Sequence, residues 1–130
     1  MEQVTGIGGV FFRSNNPERL AQWYEDMLGV KGAPADYYES PWWQEAGSTV
    51  WAPMPADSAH FGNSGAMWTI TFRVNDLAAM VTQLREAGID VAVDPESYPN
   101  GQFAETVDPE GNSVQLWEPR GREAHKPPRS

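Results

Sequence analysis

Two stretches rich in β-branched and aromatic residues, 7–13 and 68–74, each run directly into a segment whose apolar residues recur at helical spacing. In the first segment Asn16 suits the N-cap and Pro17 the first helical position, where a missing N–H costs nothing. Leu20, Trp23, Tyr24, Met27 and Leu28 then share one face, and Gly29 stops the helix. The second segment repeats this logic with Asp76 or Asn75 as cap, Leu77, Met80, Val81 and Leu84 as the buried stripe, and Gly88 as terminator. The two strand ends are themselves alike: Phe12-Arg13-Ser14-Asn15-Asn16 reappears as Phe72-Arg73-Val74-Asn75-Asp76. An internal repeat of one supersecondary unit follows.

Both helices need a sheet to cover, and short strand patterns supply it. They fall near 31–38, 42–46 and 49–53 in the first half and near 90–93, 103–107 and 113–118 in the second, where Asp108-Pro109-Glu110-Gly111 forms a turn. The expected fold is α+β: two βαβββ modules in tandem, forming cupped mixed β-sheets with the helices packed outside. Module one covers about 5–54, a Pro-, Ala-, Ser- and Gly-rich linker about 55–65, and module two about 66–118. Residues 119–130 gather Arg120, Arg122, Lys126 and Arg129 in an apolar-poor, Pro-rich stretch that reads as a flexible tail.

Composition narrows the picture. The 130 residues suit one domain, and 40% hydrophobic with 21% charged residues is the balance of a globular chain. Cysteine is absent, which removes disulfides, thiolate metal sites and a cysteine nucleophile, and leaves a reducing cytoplasm as the expected compartment. The N-terminus lacks a signal-peptide pattern and no apolar run is long enough to span a bilayer, so no membrane association is expected. A formal net charge of -9 opposes binding to phosphate backbones; nucleic acid is not an expected partner, whereas a cationic ligand is compatible.

Several stretches carry a family resemblance. Ile7-Gly8-Gly9-Val10-Phe11-Phe12 leading into Trp23-Tyr24 and Leu28-Gly29, then Thr71-Phe72-Arg73-Val74-Asn75-Asp76-Leu77, then Asp108-Pro109-Glu110-Gly111-Asn112 through Gln115-Leu116-Trp117-Glu118-Pro119, resemble the vicinal oxygen chelate superfamily of glyoxalases, dioxygenases and bleomycin-resistance proteins. The resemblance spans nearly the whole chain. It implies a cupped sheet around a cleft and a homodimer that completes two sites. In the metal-dependent relatives four side chains converge in that cup, one from the first and one from the last strand of each module. The corresponding positions here are Gly9, Trp51, Thr69 and Gln115, and the repeat independently pairs Gly9 with Thr69. None is a good ligand for a divalent metal, so the resemblance points to a member without the usual metal site and without a cofactor. His60 in the linker and His125 in the tail stand apart from the cup strands.

Strand parity then sends Phe11 and Arg13 into the cup, with Trp51, Thr69, Thr71, Arg73, Gln115 and Trp117 on the same side. These eight residues are the expected ligand-binding set. Six tryptophans in so short a chain suggest flat apolar walls, on which a planar or cationic molecule can stack. Glu45 and Glu105, on middle strands, are the candidate catalytic carboxylates. Three readings follow. One is a protein that binds a small aromatic or cationic molecule, as in drug resistance or sequestration. The second is a metal-independent isomerase, epimerase or cyclase. The third is a metal-dependent lyase or dioxygenase with rearranged ligands.

Overall fold

The computed structural model describes residues 1–62 and 65–124. Helix α1 runs over Pro17–Leu28: the Asn16 side chain accepts from the Arg19 amide, proline stands in the first turn, and Gly29 closes the helix in the left-handed region at φ 72°. Helix α2 runs over Leu77–Glu86 with Asp76, rather than Asn75, as the capping side chain. Among the described residues four strands accompany the helices: β1 (Ile70–Arg73), β2 (Ala92–Val93), β3 (Gly101–Val107) and β4 (Ser113–Pro119).

The strands form one mixed sheet in the order β1-β4-β3-β2, with β1 parallel to β4 and the other pairs antiparallel. A strand's side chains alternate between faces, so the register decides which residues are covered. Val114 and Leu116 of β4, Ala104 of β3, and the partly buried Ile70 and Phe72 of β1 point into the core. Leu20 and Tyr24 of α1 and Leu77, Val81 and Leu84 of α2 meet them there. Thus helices from both halves of the chain cover one face of a sheet built wholly from the second half.

The turn at Asp108–Asn112 fastens the first half to this sheet. Asp108 is only 4% exposed. One carboxylate oxygen accepts the Tyr24 hydroxyl at 2.7 Å and the Asn112 side-chain amide at 2.7 Å; the other accepts the backbone amides of Glu110 and Asn112 at 2.9 and 3.0 Å. Burial, and then the hydrogen bond to Asp108, push the Tyr24 phenol far above the ordinary tyrosine range, so it remains a donor. Beside it, Glu110 accepts the Ser14 hydroxyl at 2.5 Å and the Asn15 amide at 2.8 Å. The segment entering α1 and the helix itself are therefore held by one five-residue turn.

The α+β class and the second-half elements match expectation closely. The first-half strands expected near 7–13, 31–38, 42–46 and 49–53 do not form: those residues carry no strand in the structure. A strand exists only through the ladder it makes with a neighbour, and among the described residues of the single chain these segments pair with none. Their apolar side chains stay in solvent, Phe11, Tyr37, Tyr38, Trp43 and Trp51 among them. The linker contains a short 3₁₀ turn at Ala59–Phe61. The described part of the C-terminal stretch, Gly121–Ala124, is a second such turn, anchored where the Arg120 amide donates to Asn100 O at 3.0 Å. His125 and the rest of the expected tail lie outside the described residues.

Removing the Tyr24 hydroxyl takes one of four donors from a buried carboxylate, a loss of about 1–3 kcal/mol. Tyr24→Phe is expected to lower the urea midpoint accordingly, and an unchanged midpoint would show that α1 docks without this bond. Glu110 supplies a pH test. Its carboxyl is held below the usual range first by the Ser14 hydroxyl and then by the Asn15 amide. A carboxyl acidified by folding stabilises the fold above its unfolded pKa, and the contribution vanishes as pH falls through the folded value. Glu110→Gln should therefore unfold at lower urea than the parent at neutral pH and converge with it in acid; a constant gap at every pH would contradict the linkage.

Candidate functional site

The sheet face turned away from the helices carries two cross-strand rows. In the first, Thr71 pairs with Gln115, Gln115 with Glu105, and Glu105 with Ala92. In the second, Arg73 pairs with Trp117 and Trp117 with Phe103. Because Ile70, Phe72, Ala104, Val114 and Leu116 are committed to the core by the same alternation, this composition is a direct product of register.

Within the first row the Thr71 hydroxyl donates to Gln115 Oε1 at 2.9 Å, which leaves the Gln115 amide hydrogens free to turn toward Glu105 or a ligand. In the second row Trp117 is 3% exposed. Its indole N–H donates to Asn100 O at 2.9 Å, and its ring stacks on Phe103 at 6.2 Å with an interplanar angle of 4°. Tyr98 meets Phe103 edge-on at 5.9 Å, so Phe103 is held between two rings. The Tyr98 hydroxyl donates to Asp94 at 2.9 Å, and this bond is the main cause pushing its pKa up to about 12. A depression of about 250 Å³ opens where the rows meet β2, lined by Ala92, Val93, Asp94, Phe103, Glu105 and Gln115. A wider groove of about 910 Å³ lies at the end of the sheet between Phe61, Arg85 and Ser113. It reaches past the sheet to Val91 and Thr106, whose side chains belong to the helix-covered side.

Of the residues expected to bind ligand, the structure brings Thr69, Thr71, Arg73, Gln115 and Trp117 to this sheet, with Thr69 just before β1. Trp117 is there as support for Phe103 rather than as an open surface. Phe11, Arg13 and Trp51 lie in exposed segments, and no hydrogen bond or ring contact among the described residues joins them to the sheet. The Phe11 ring lies over Gly9, 2.8 Å from where a Cβ would stand, and so fills part of the space that glycine leaves. Glu105 is exposed within the depression; Glu45 is exposed in a loop and meets the sheet through its main-chain carbonyl, which accepts from Arg73 at 2.7 Å. Phe103 and Asp94 were not singled out from sequence. Phe103 shares the parity of Glu105 on β3, a signal that was present; Asp94 follows β2 and had none.

The four positions that the resemblance would assign to metal ligands bring no side-chain donor set together here. Thr69 Oγ1 donates to Ser113 O at 3.2 Å, Gln115 Oε1 accepts from Thr71, and Gly9 and Trp51 supply no side-chain acceptor. The His60 ring instead packs edge-on against Phe61 at 5.9 Å. Among the described residues no three His, Asp or Glu side chains group as a metal site, and no helix is long and apolar enough to cross a membrane.

No curated protein matches the chain. Among solved structures, a glyoxalase family protein from Bacillus anthracis aligns over 91% of this chain and 100% of its own with TM-score 0.53 and 18% identity. TnmS3, an antibiotic binding protein from Streptomyces sp. CB03234, aligns over 81% of this chain and 88% of its own at 20% identity and TM-score 0.48. A glyoxalase/bleomycin resistance protein from the same organism is 33% identical over 38% of this chain and 42% of its own, TM-score 0.35, so the match spans less than half of that relative. The model of the Glyoxalase/Bleomycin resistance protein/Dioxygenase superfamily matches residues 6–116. That match covers both helices, β1 to β3 and most of β4, and with it the chain belongs to that superfamily.

Proposed function

We propose that the protein binds a small aromatic or cationic organic molecule in a metal-free cleft, with the open sheet face as its floor and a second copy of the chain supplying the opposite wall. The observation that carries this reading is the incompleteness of the face. A depression of about 250 Å³ falls short of the roughly 300–1,000 Å³ in which drug-sized ligands are usually enclosed. Yet its floor already combines an aromatic ring, a free amide and carboxylates, the mixture that orients such ligands. The same chain leaves Phe11, Trp43 and Trp51 in solvent, and exposed aromatics on this scale favour association. A homodimer that lays them over the face satisfies both needs at once. Glu105 and Asp94, in a chain of net charge -9, favour a cation over an anion.

A metal-independent isomerase, epimerase or cyclase is the second reading, favoured by the position of Glu105 opposite Gln115 inside the depression. Turnover that survives chelators and disappears in Glu105→Gln would establish it.

Acridine orange, a planar aromatic cation, is a suitable first ligand. Saturable binding, followed by dye anisotropy and tryptophan quenching, is expected, together with a dimer mass by light scattering. A monomer that binds nothing in a panel of aromatic cations would refute the proposal. Gln115→Ala removes one neutral hydrogen bond of about 0.5–1.5 kcal/mol, a weakening of roughly two- to tenfold. Zinc, iron, manganese or nickel should leave the dye affinity unchanged, and a metal that shifts it severalfold would restore a metal site.

A further inference from the structure

Arg73 ends β1 on the cleft side, the place for a cation that meets a ligand, but its guanidinium is turned to another task. Nη1 donates to Ser48 O at 2.7 Å and Nη2 to Glu45 O at 2.7 Å. Two carbonyls three residues apart therefore converge on one planar fork. Among the described residues its charge has no carboxylate within ion-pair distance, the one such pair being Arg120 with Glu118. Gly47 lies between the two carbonyls, and a Cβ there would fall 2.7 Å from both Cζ and Nε of Arg73. A side chain there would oblige the guanidinium to shift away from the two carbonyls. Ser48 is fixed a second time, its hydroxyl donating to Glu123 O at 2.5 Å. The loop is thus held both to the sheet and to the turn that follows it.

We propose that Arg73 is a positioning residue, a strap that binds residues 45–48 to the end of the sheet and thereby sets Trp43 and Trp51, which flank that loop, relative to the cleft face. The strap itself stands on geometry alone; its consequence for ligand affinity rests on the binding function proposed above. The fork is what matters, not the charge. Lysine carries the same charge as a compact ammonium and cannot present two coplanar donors to separated carbonyls. Arg73→Lys should therefore behave like Arg73→Gln. If Arg73 instead served to attract an anionic ligand, Arg73→Lys would behave like the parent.

The test has two readouts on the full chain. Chymotrypsin cleavage after Trp42, Trp43 and Trp51, measured without ligand, is expected to accelerate at least tenfold in Arg73→Lys, Arg73→Gln and Gly47→Ala, while α2 is cut no faster. Gly47→Ala leaves Arg73 in place and covers the case in which an Arg73 variant fails to fold. Acridine orange affinity should fall about tenfold in the same variants, the equivalent of about 1.4 kcal/mol. Parent-like cleavage in Arg73→Lys or in Gly47→Ala overturns the strap. Accelerated cleavage together with a parent protein that ignores the dye upholds the strap and overturns the binding function, so the two failures are distinguishable. Accelerated cleavage with undiminished dye affinity overturns the strap's role in the cleft.

Discussion

A carboxylate that is 4% exposed must find donors for both oxygens or give up its charge, and Asp108 finds four. Three come from its own turn and preset the geometry; the fourth is the Tyr24 hydroxyl, contributed from 84 residues away. The fold depends on that last donor because α1 has no strand of its own half beneath it. Its apolar stripe is covered only if it settles on the second-half sheet beside α2, and the Tyr24–Asp108 bond gives that settling a fixed register and depth. Glu110 adds a second fastening at the helix entrance through Ser14 and Asn15.

With both helices on one side, the other side of the sheet carries the rings packed around Trp117 and the 45–48 loop held by Arg73, and the residues around Gln115 and Glu105 are what alternation leaves open. Phe103 packs between Trp117 and Tyr98, so the aromatic ring that the proposed cleft would offer is held in place in advance. Preorganisation of this sort lowers the entropy lost on binding. Thr71 orients Gln115 in the same way, leaving its amide hydrogens as the adaptable donors in the row.

The sequence exposed the parts of this fold governed by local chemistry. Asn16, Pro17 and Gly29 delimit α1, and Asp76 caps α2, because caps depend on a few neighbouring residues. The second-half strands were legible because the turn at Asp108–Asn112 and the alternation on either side agree. The first half has the same local signals without a ladder, since pairing is a long-range event that a strand pattern permits but does not compel. The residues of the proposed site follow the same division. Parity puts Gln115 and Thr71 on one face, whereas the burial of Trp117 under Phe103 and the turning of Arg73 toward main-chain carbonyls depend on tertiary neighbours that no spacing records.

The span between Tyr24 and Asp108 also fixes an order of events during synthesis. The chain is made N-terminus first, at about 5–20 residues per second, so α1 is synthesised before any residue of the sheet. Roughly 4–17 seconds separate the two halves of the Tyr24–Asp108 bond at that pace. For that interval the apolar stripe of α1 has no sheet to rest on, which makes the nascent first half a form in need of a chaperone.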